Sequence, residues 1–133
     1  MYIDDDFLEN DLDWFSSSQD GFLAHFATGG KGDIPDKIRE SIDHYELIYD
    51  YFYSLGTLSD VTVIECNTPD FLDEKQRLCY LKSFIEMSQR GVFSYDYRDS
   101  EYKLISRPKC PLRYNSLPDD IKGIIYISSE NIS

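Results

Sequence analysis

Basic residues are scarce in this chain: 13 Lys and Arg stand against 25 Asp and Glu, a formal net charge of −12 over 133 residues. The first thirty residues carry seven acids (Asp4, Asp5, Asp6, Glu9, Asp11, Asp13, Asp20) and no base. Such a surface repels phosphate, which argues against direct nucleic-acid binding and favours cations or basic proteins as partners. Cysteine is also sparse. Cys66, Cys79 and Cys110 are odd in number and form no CxxC pair, so a disulfide framework is excluded and reduced thiols are expected. No apolar run approaches the roughly 20 residues of a membrane-spanning helix. The opening MYIDDDFLEND lacks the basic and apolar regions of a secretion signal, which predicts a cytoplasmic protein.

What is present is ordinary globular material, 41% hydrophobic and 29% charged, with 11 Tyr, 8 Phe and a single Trp. This length and composition suit one domain, residues 1–133, in which 1–11 read as an acidic N-terminal arm. Leu12–Phe15 and Phe22–Phe26 are short apolar runs around a polar stretch ending in Asp20-Gly21, the pattern of a hairpin. Thr28, Gly29, Gly30 and Gly32 then break regular structure. A long helix is predicted from Asp33 or Asp36 to Leu55, stopped at Gly56, with Ile38, Ile42, Tyr45, Ile48, Tyr49, Phe52 and Leu55 on its buried face. Val61–Ile64 reads as a short strand or an extended loop. A second helix is predicted from an N-cap at Thr68 with Pro69 in its first turn to Arg90-Gly91, with Phe71, Leu78, Leu81, Phe84 and Ile85 inward. Val92–Tyr97 and Tyr102–Ser106 flank a polar loop and read as a second hairpin. Ser116–Asp120 starts a helical turn, and Ile124–Ile127 continues it or forms a last strand. The expected class is α+β: an antiparallel sheet built from N- and C-terminal hairpins, packed against two central helices. One core is expected to hold Trp14, Phe15, Phe22, Phe26, Ile38, Ile42, Ile48, Phe52, Leu78, Leu81 and Ile85.

Site chemistry is thin. His25 and His44 have no partners at metal-ligand spacing, so no metal or cofactor is expected. Gly29-Gly30-Lys31-Gly32 lacks the length and the Ser or Thr after Lys that a phosphate loop needs, and reads as a chain turn. Ser16, Ser17, Ser18 and Cys66 have no sequence-level base, so no catalytic residue is assigned. A carboxylate pair of the glycosidase type stays open, because acids are abundant.

The pattern that stands out is Glu40, Asp43, Glu46 and Asp50, stepping by three, three and four beside Tyr49 and Tyr53, with no Lys or Arg from Glu40 to Gly56. Like charges at these spacings weaken a helix slightly. The ordinary reading is a solvated face. The functional reading is a surface for a basic protein, in which charge steers and tyrosine anchors.

The stretch from 13 to 35 contains Asp13-Trp14-Phe15, Asp20-Gly21, Ala24-His25-Phe26, Thr28-Gly29-Gly30 and Ile34-Pro35. This pattern resembles the opening of small bacterial immunity proteins of polymorphic-toxin and contact-dependent growth inhibition systems. The resemblance implies a cytosolic antidote that binds one toxin domain and performs no chemistry. With the charge, it makes a basic nuclease the expected partner. A regulatory binding module of other partner, and a small hydrolase using acids, are the alternatives.

Overall fold

The structure is a computed structural model that describes residues 12–129; the acidic arm expected at 1–11 lies outside the described residues. Strands β1 (Asp13–Ser17) and β2 (Leu23–Ala27) form the first hairpin. Helices α1 (Asp36–Arg39) and α2 (Ile42–Ser54) follow, then β3 (Val61–Val63), a 3₁₀ turn at Glu65–Asn67 and helix α3 (Glu74–Gln89). The second hairpin is β4 (Phe93–Arg98) with β5 (Glu101–Pro108). The chain ends with a 3₁₀ turn at Tyr114–Ser116, the short helix α4 (Asp119–Lys122) and β6 (Tyr126–Ile127).

The α+β class is as expected, and both hairpins are antiparallel. The six-stranded sheet as a whole is mixed, in the order β3-β5-β4-β2-β1-β6. The hairpins join through a parallel pairing of β2 with β4, Ala24 opposite Phe93 to Ala27 opposite Asp96. Three helices and β3 lie between these strands in sequence, and a crossover of that length permits parallel neighbours. Of the two ambiguous segments, the first is strand β3, antiparallel to β5. In the second, Ile124 and Ile125 continue the turn by donating to the Ile121 carbonyl, and only Tyr126–Ile127 form a strand, parallel to β1 through Ser16 and Ser17.

The helices differ from expectation at their starts. The first helical region is broken at Glu40-Ser41. Ser41 is extended, with φ −146°, and its side chain accepts from the backbone of His44, so it begins a new helix as an N-cap. Thr68 does not cap α3, because its hydroxyl donates to the carbonyl of Glu65 at 2.8 Å and closes the preceding 3₁₀ turn. Asp73 takes the role, accepting from Gln76 N at 2.8 Å. The end of α3 is where the sequence places it. Gly91 has φ +92°, and a Cβ there would sit 2.7 Å from Leu112, so both conformation and space require glycine.

Both long helices cover one face of the sheet, and the expected single core divides into two clusters. The larger joins Phe15, Leu23, Ile48, Phe52, Met87, Val92, Leu117, Ile121 and Ile125; the smaller is Leu81, Phe84 and Ile105. Trp14 and Phe26 belong to neither, because strand alternation turns them to the opposite face. There Trp14 stacks on Phe26 at 4.1 Å and Phe26 on Tyr95 at 4.9 Å, with Tyr102 edge-on to the first two. Phe22, Ile38, Ile42 and Ile85 are half-buried, and Leu78 is 54% exposed. Leu81, Phe84 and Ser88 set the inward face of α3, which leaves Leu78 on its flank. The glycine-rich loop folds back over the aromatic face. Its turn closes on Thr28, whose carbonyl accepts from Lys31 N and Gly32 N. At Gly32 a Cβ would overlap the Tyr102 hydroxyl.

Candidate protein-binding surface

Asp13 on β1 is the hub of the surface. Its backbone carbonyl accepts from the Tyr45 hydroxyl at 2.6 Å, and its Oδ2 accepts from the Tyr53 hydroxyl at 2.9 Å. Tyr45 and Tyr53 lie two turns apart on α2, and Tyr49 fills the turn between them. Tyr49 stacks on Tyr53 at 4.2 Å and lies 6.2 Å from Tyr45. The spacing i, i+4, i+8 thus makes a ladder along one flank of the helix, bound at both ends to the sheet. Behind it, the Arg90 guanidinium lies 5.3 Å from the Tyr53 ring centre and donates to the carbonyl of Leu55.

Burial raises the Tyr45 and Tyr53 phenols well above their ordinary value, and the nearby Asp13 charge adds to the effect. Both therefore remain protonated donors. For Asp13 itself burial works against the carboxylate. The close approach of the His25 ring, with the hydrogen bond from the Tyr53 hydroxyl, outweighs it, so its carboxyl is held below the ordinary value.

The inward side of Asp13 meets His25. Nε2 lies 3.2 Å from Asp13 Oδ1, close enough for a charge contact but poorly aligned for a hydrogen bond. Nδ1 lies 2.7 Å from Ser94 Oγ. Ser94, His25 and Asp13 thus lie in series, but with the ring nitrogens reversed relative to a hydrolytic triad, in which Nε2 meets the serine and Nδ1 the carboxylate. Ser94 is 0% exposed and His25 1%, so no acyl group can reach the hydroxyl in this structure. The trio joins β1, β2 and β4 across the sheet.

Outward from the ladder run the acids. Glu40 sits in the step between α1 and α2, so the row is not a single helical stripe; Asp43, Glu46 and Asp50 lie on α2. All four are exposed, and among the described residues no base pairs with them. Glu46, Tyr49 and Asp50 join Leu12, Asp13 and Tyr45 around a depression of about 390 Å³. Asp43 lies outside this depression, and Glu40 lines a neighbouring cavity. Tyr53 supports the depression from beneath through Asp13.

Sequence reading missed Asp13, Leu12 and Tyr45. Tyr45 was legible as the first rung of the 45, 49, 53 spacing, but its place on an apolar face concealed it. Asp13 becomes part of the site only once β1 is paired and α2 is docked. No group of His, Cys, Asp and Glu among the described residues could hold a metal ion. Cys66, Cys79 and Cys110 are free and exposed. No described helix is long and apolar enough to cross a membrane.

Compared with protein-family models, curated proteins and solved structures, the chain finds no match.

Proposed function

We propose that this chain is a cytoplasmic immunity-type antidote that binds a basic toxin domain, a nuclease by preference, and acts by occlusion without chemistry. The observation that carries this reading is the flank of α2 and the step before it: four exposed carboxylates, with no basic partner among the described residues, beside a tyrosine ladder fixed to the sheet by Asp13. Unpaired surface acids attract a basic protein during encounter, and rigid tyrosines add contact area at low entropic cost. A net charge of −12 favours the same class of partner. It also suits competition with the nucleic acid that such a toxin would engage. The resemblance of residues 13–35 to immunity proteins supports the reading, as do three exposed free thiols, which fit a reducing compartment.

The experiment is to read the frames that flank this gene and to express any basic C-terminal domain they encode in bacteria, with and without the chain. The expected result is growth arrest by the domain alone, rescue by the chain, and a 1:1 complex of the purified pair that weakens with salt. Arrest without rescue, with no complex at low salt, would contradict the proposal.

A further inference from the structure

Beside the acidic depression lies a second cavity of about 340 Å³, for which an origin can be traced. β6 pairs with β1 only at Ser16 and Ser17. Before those residues, the outer edge of β1 has no strand neighbour among the described residues. The space is walled instead by α1, by α2 and by the turn after α4. Its interior surface is apolar: Phe15 and Ile48 from the main core, Ile38 and Ile124 half-buried, and Trp14, one face of which is covered by Phe26. Three hydroxyls line its wall, those of Ser41, Tyr45 and Tyr126, and the first two are engaged. The Ser41 hydroxyl caps α2 and the Tyr45 hydroxyl donates to Asp13. Charged groups (Lys37, Glu40 and His44) are exposed and stand at the mouth.

We infer that this cavity is an anchor pocket that takes one aromatic side chain from a basic segment of a protein partner. Its size falls in the range of ordinary ligand sites, about 300–1,000 Å³. Because most of its lining is apolar and two of its three hydroxyls are engaged, it offers a water few partners and an apolar group good contact. An aromatic residue in a desolvated pocket ringed by polar groups is the usual form of an interface hot spot. The occupant is assigned to a polypeptide because Tyr45 walls both this cavity and the acidic depression. A single short segment can thus place an aromatic ring in one and an Arg or Lys against Glu46 and Asp50 in the other. The assignment of the partner rests on the proposed function above; the chemistry of the pocket does not.

The test has two arms. In the first, N-acetyl-phenylalaninamide and N-acetyl-alaninamide are titrated into the protein, followed by the Ile38, Ile48 and Ile124 methyl resonances and by emission from Trp14. The phenylalanine probe should bind at least about tenfold more tightly than the alanine one, as burial of the ring requires. Filling the cavity with Ile124→Trp or, separately, Ile38→Trp should abolish those shifts; two variants guard against one that fails to fold. In the second arm, the filled variants, shown folded by thermal melt, are measured against the neighbour-encoded domain. Their affinity should fall at least about tenfold, a typical hot-spot effect. Lack of preference for the aromatic probe, or filled variants that bind the domain as the parent does, would overturn the inference. If the parent binds the probe but no such domain, the anchor pocket stands and the toxin assignment falls.

Discussion

The phenol of Tyr53 donates to Oδ2 of Asp13 at 2.9 Å, linking the last turn of α2 to the first residue of β1 across 40 positions of sequence. With the Tyr45 bond to the Asp13 carbonyl, it fixes the helix flank that carries the acids. Hydrogen bonds to a charged acceptor contribute about 1.5–3 kcal/mol when well shielded; the Asp13 side chain is 27% exposed, so Tyr53→Phe should cost about 1–2 kcal/mol. Urea denaturation measures this directly. Unchanged stability would mean that the bond does not hold the helix.

Acid should weaken the fold partly through Asp13. Its carboxyl titrates lower in the folded chain than in the unfolded one, so the unfolded state binds more protons in the interval between the two values. The stabilisation is therefore complete above the ordinary Asp range and is lost as pH falls through the folded value. Asp13→Asn should flatten the acid limb of a stability–pH curve measured by denaturant melts. An identical acid limb in the variant would remove Asp13 from that role.

At high pH the sign reverses. Tyr45, Tyr53 and Tyr80 are raised chiefly by burial, and Tyr102 is pushed up to about 12 by burial first, with nearby carboxylates adding to it against the Trp14 N–H. The folded state then holds protons that the unfolded chain releases near pH 10. Stability is full below that pH and is lost as pH rises through the folded values. Phenolate absorbance from these four should thus develop late and together with unfolding, as a cooperative step at the high-pH end of the titration. A single smooth titration of all tyrosines with the fold intact would contradict this.

Capping separates the two readings of the first helical region. Ser41→Ala removes an N-cap and should cost about 1 kcal/mol, whereas a residue inside one continuous helix would lose little or gain. Thermal melts of Ser41→Ala and Thr68→Ala, compared with Asp73→Ala, should show the first and third destabilised and the second much less so.

Much of the fold was legible because its signals are local. Asp20-Gly21 and the polar loop 98–101 marked both hairpins, and Arg90-Gly91 marked the end of α3. The α2 face through Ile48 and Phe52 followed from spacing, and Phe52 is 0% exposed. What was not legible depended on competition or on tertiary placement. Thr68 and Asp73 are both good caps by residue type, and only the 3₁₀ turn that engages Thr68 decides between them. Trp14 and Phe26 look like core residues, but strand alternation sends them to the other face. The parallel join of β2 to β4 leaves no mark in either strand. For the candidate site, the acids and Tyr49 could be read from the sequence, whereas Asp13 is brought to them only by folding.

The most direct measurement is the affinity of the Glu46→Lys/Asp50→Lys double variant for the neighbour-encoded basic domain, across a salt series, with the fold checked by thermal melt. Both residues are exposed and line the depression beside Tyr49, so the variant should fold. Binding through the α2 flank predicts a loss of at least about tenfold at low salt and failure to rescue growth. That loss should shrink towards 1 M salt, where charges are screened beyond about 3 Å, if the acids only steer, and persist if they are buried in the contact. A folded double variant that binds and protects as well as the parent would contradict the assignment of this surface.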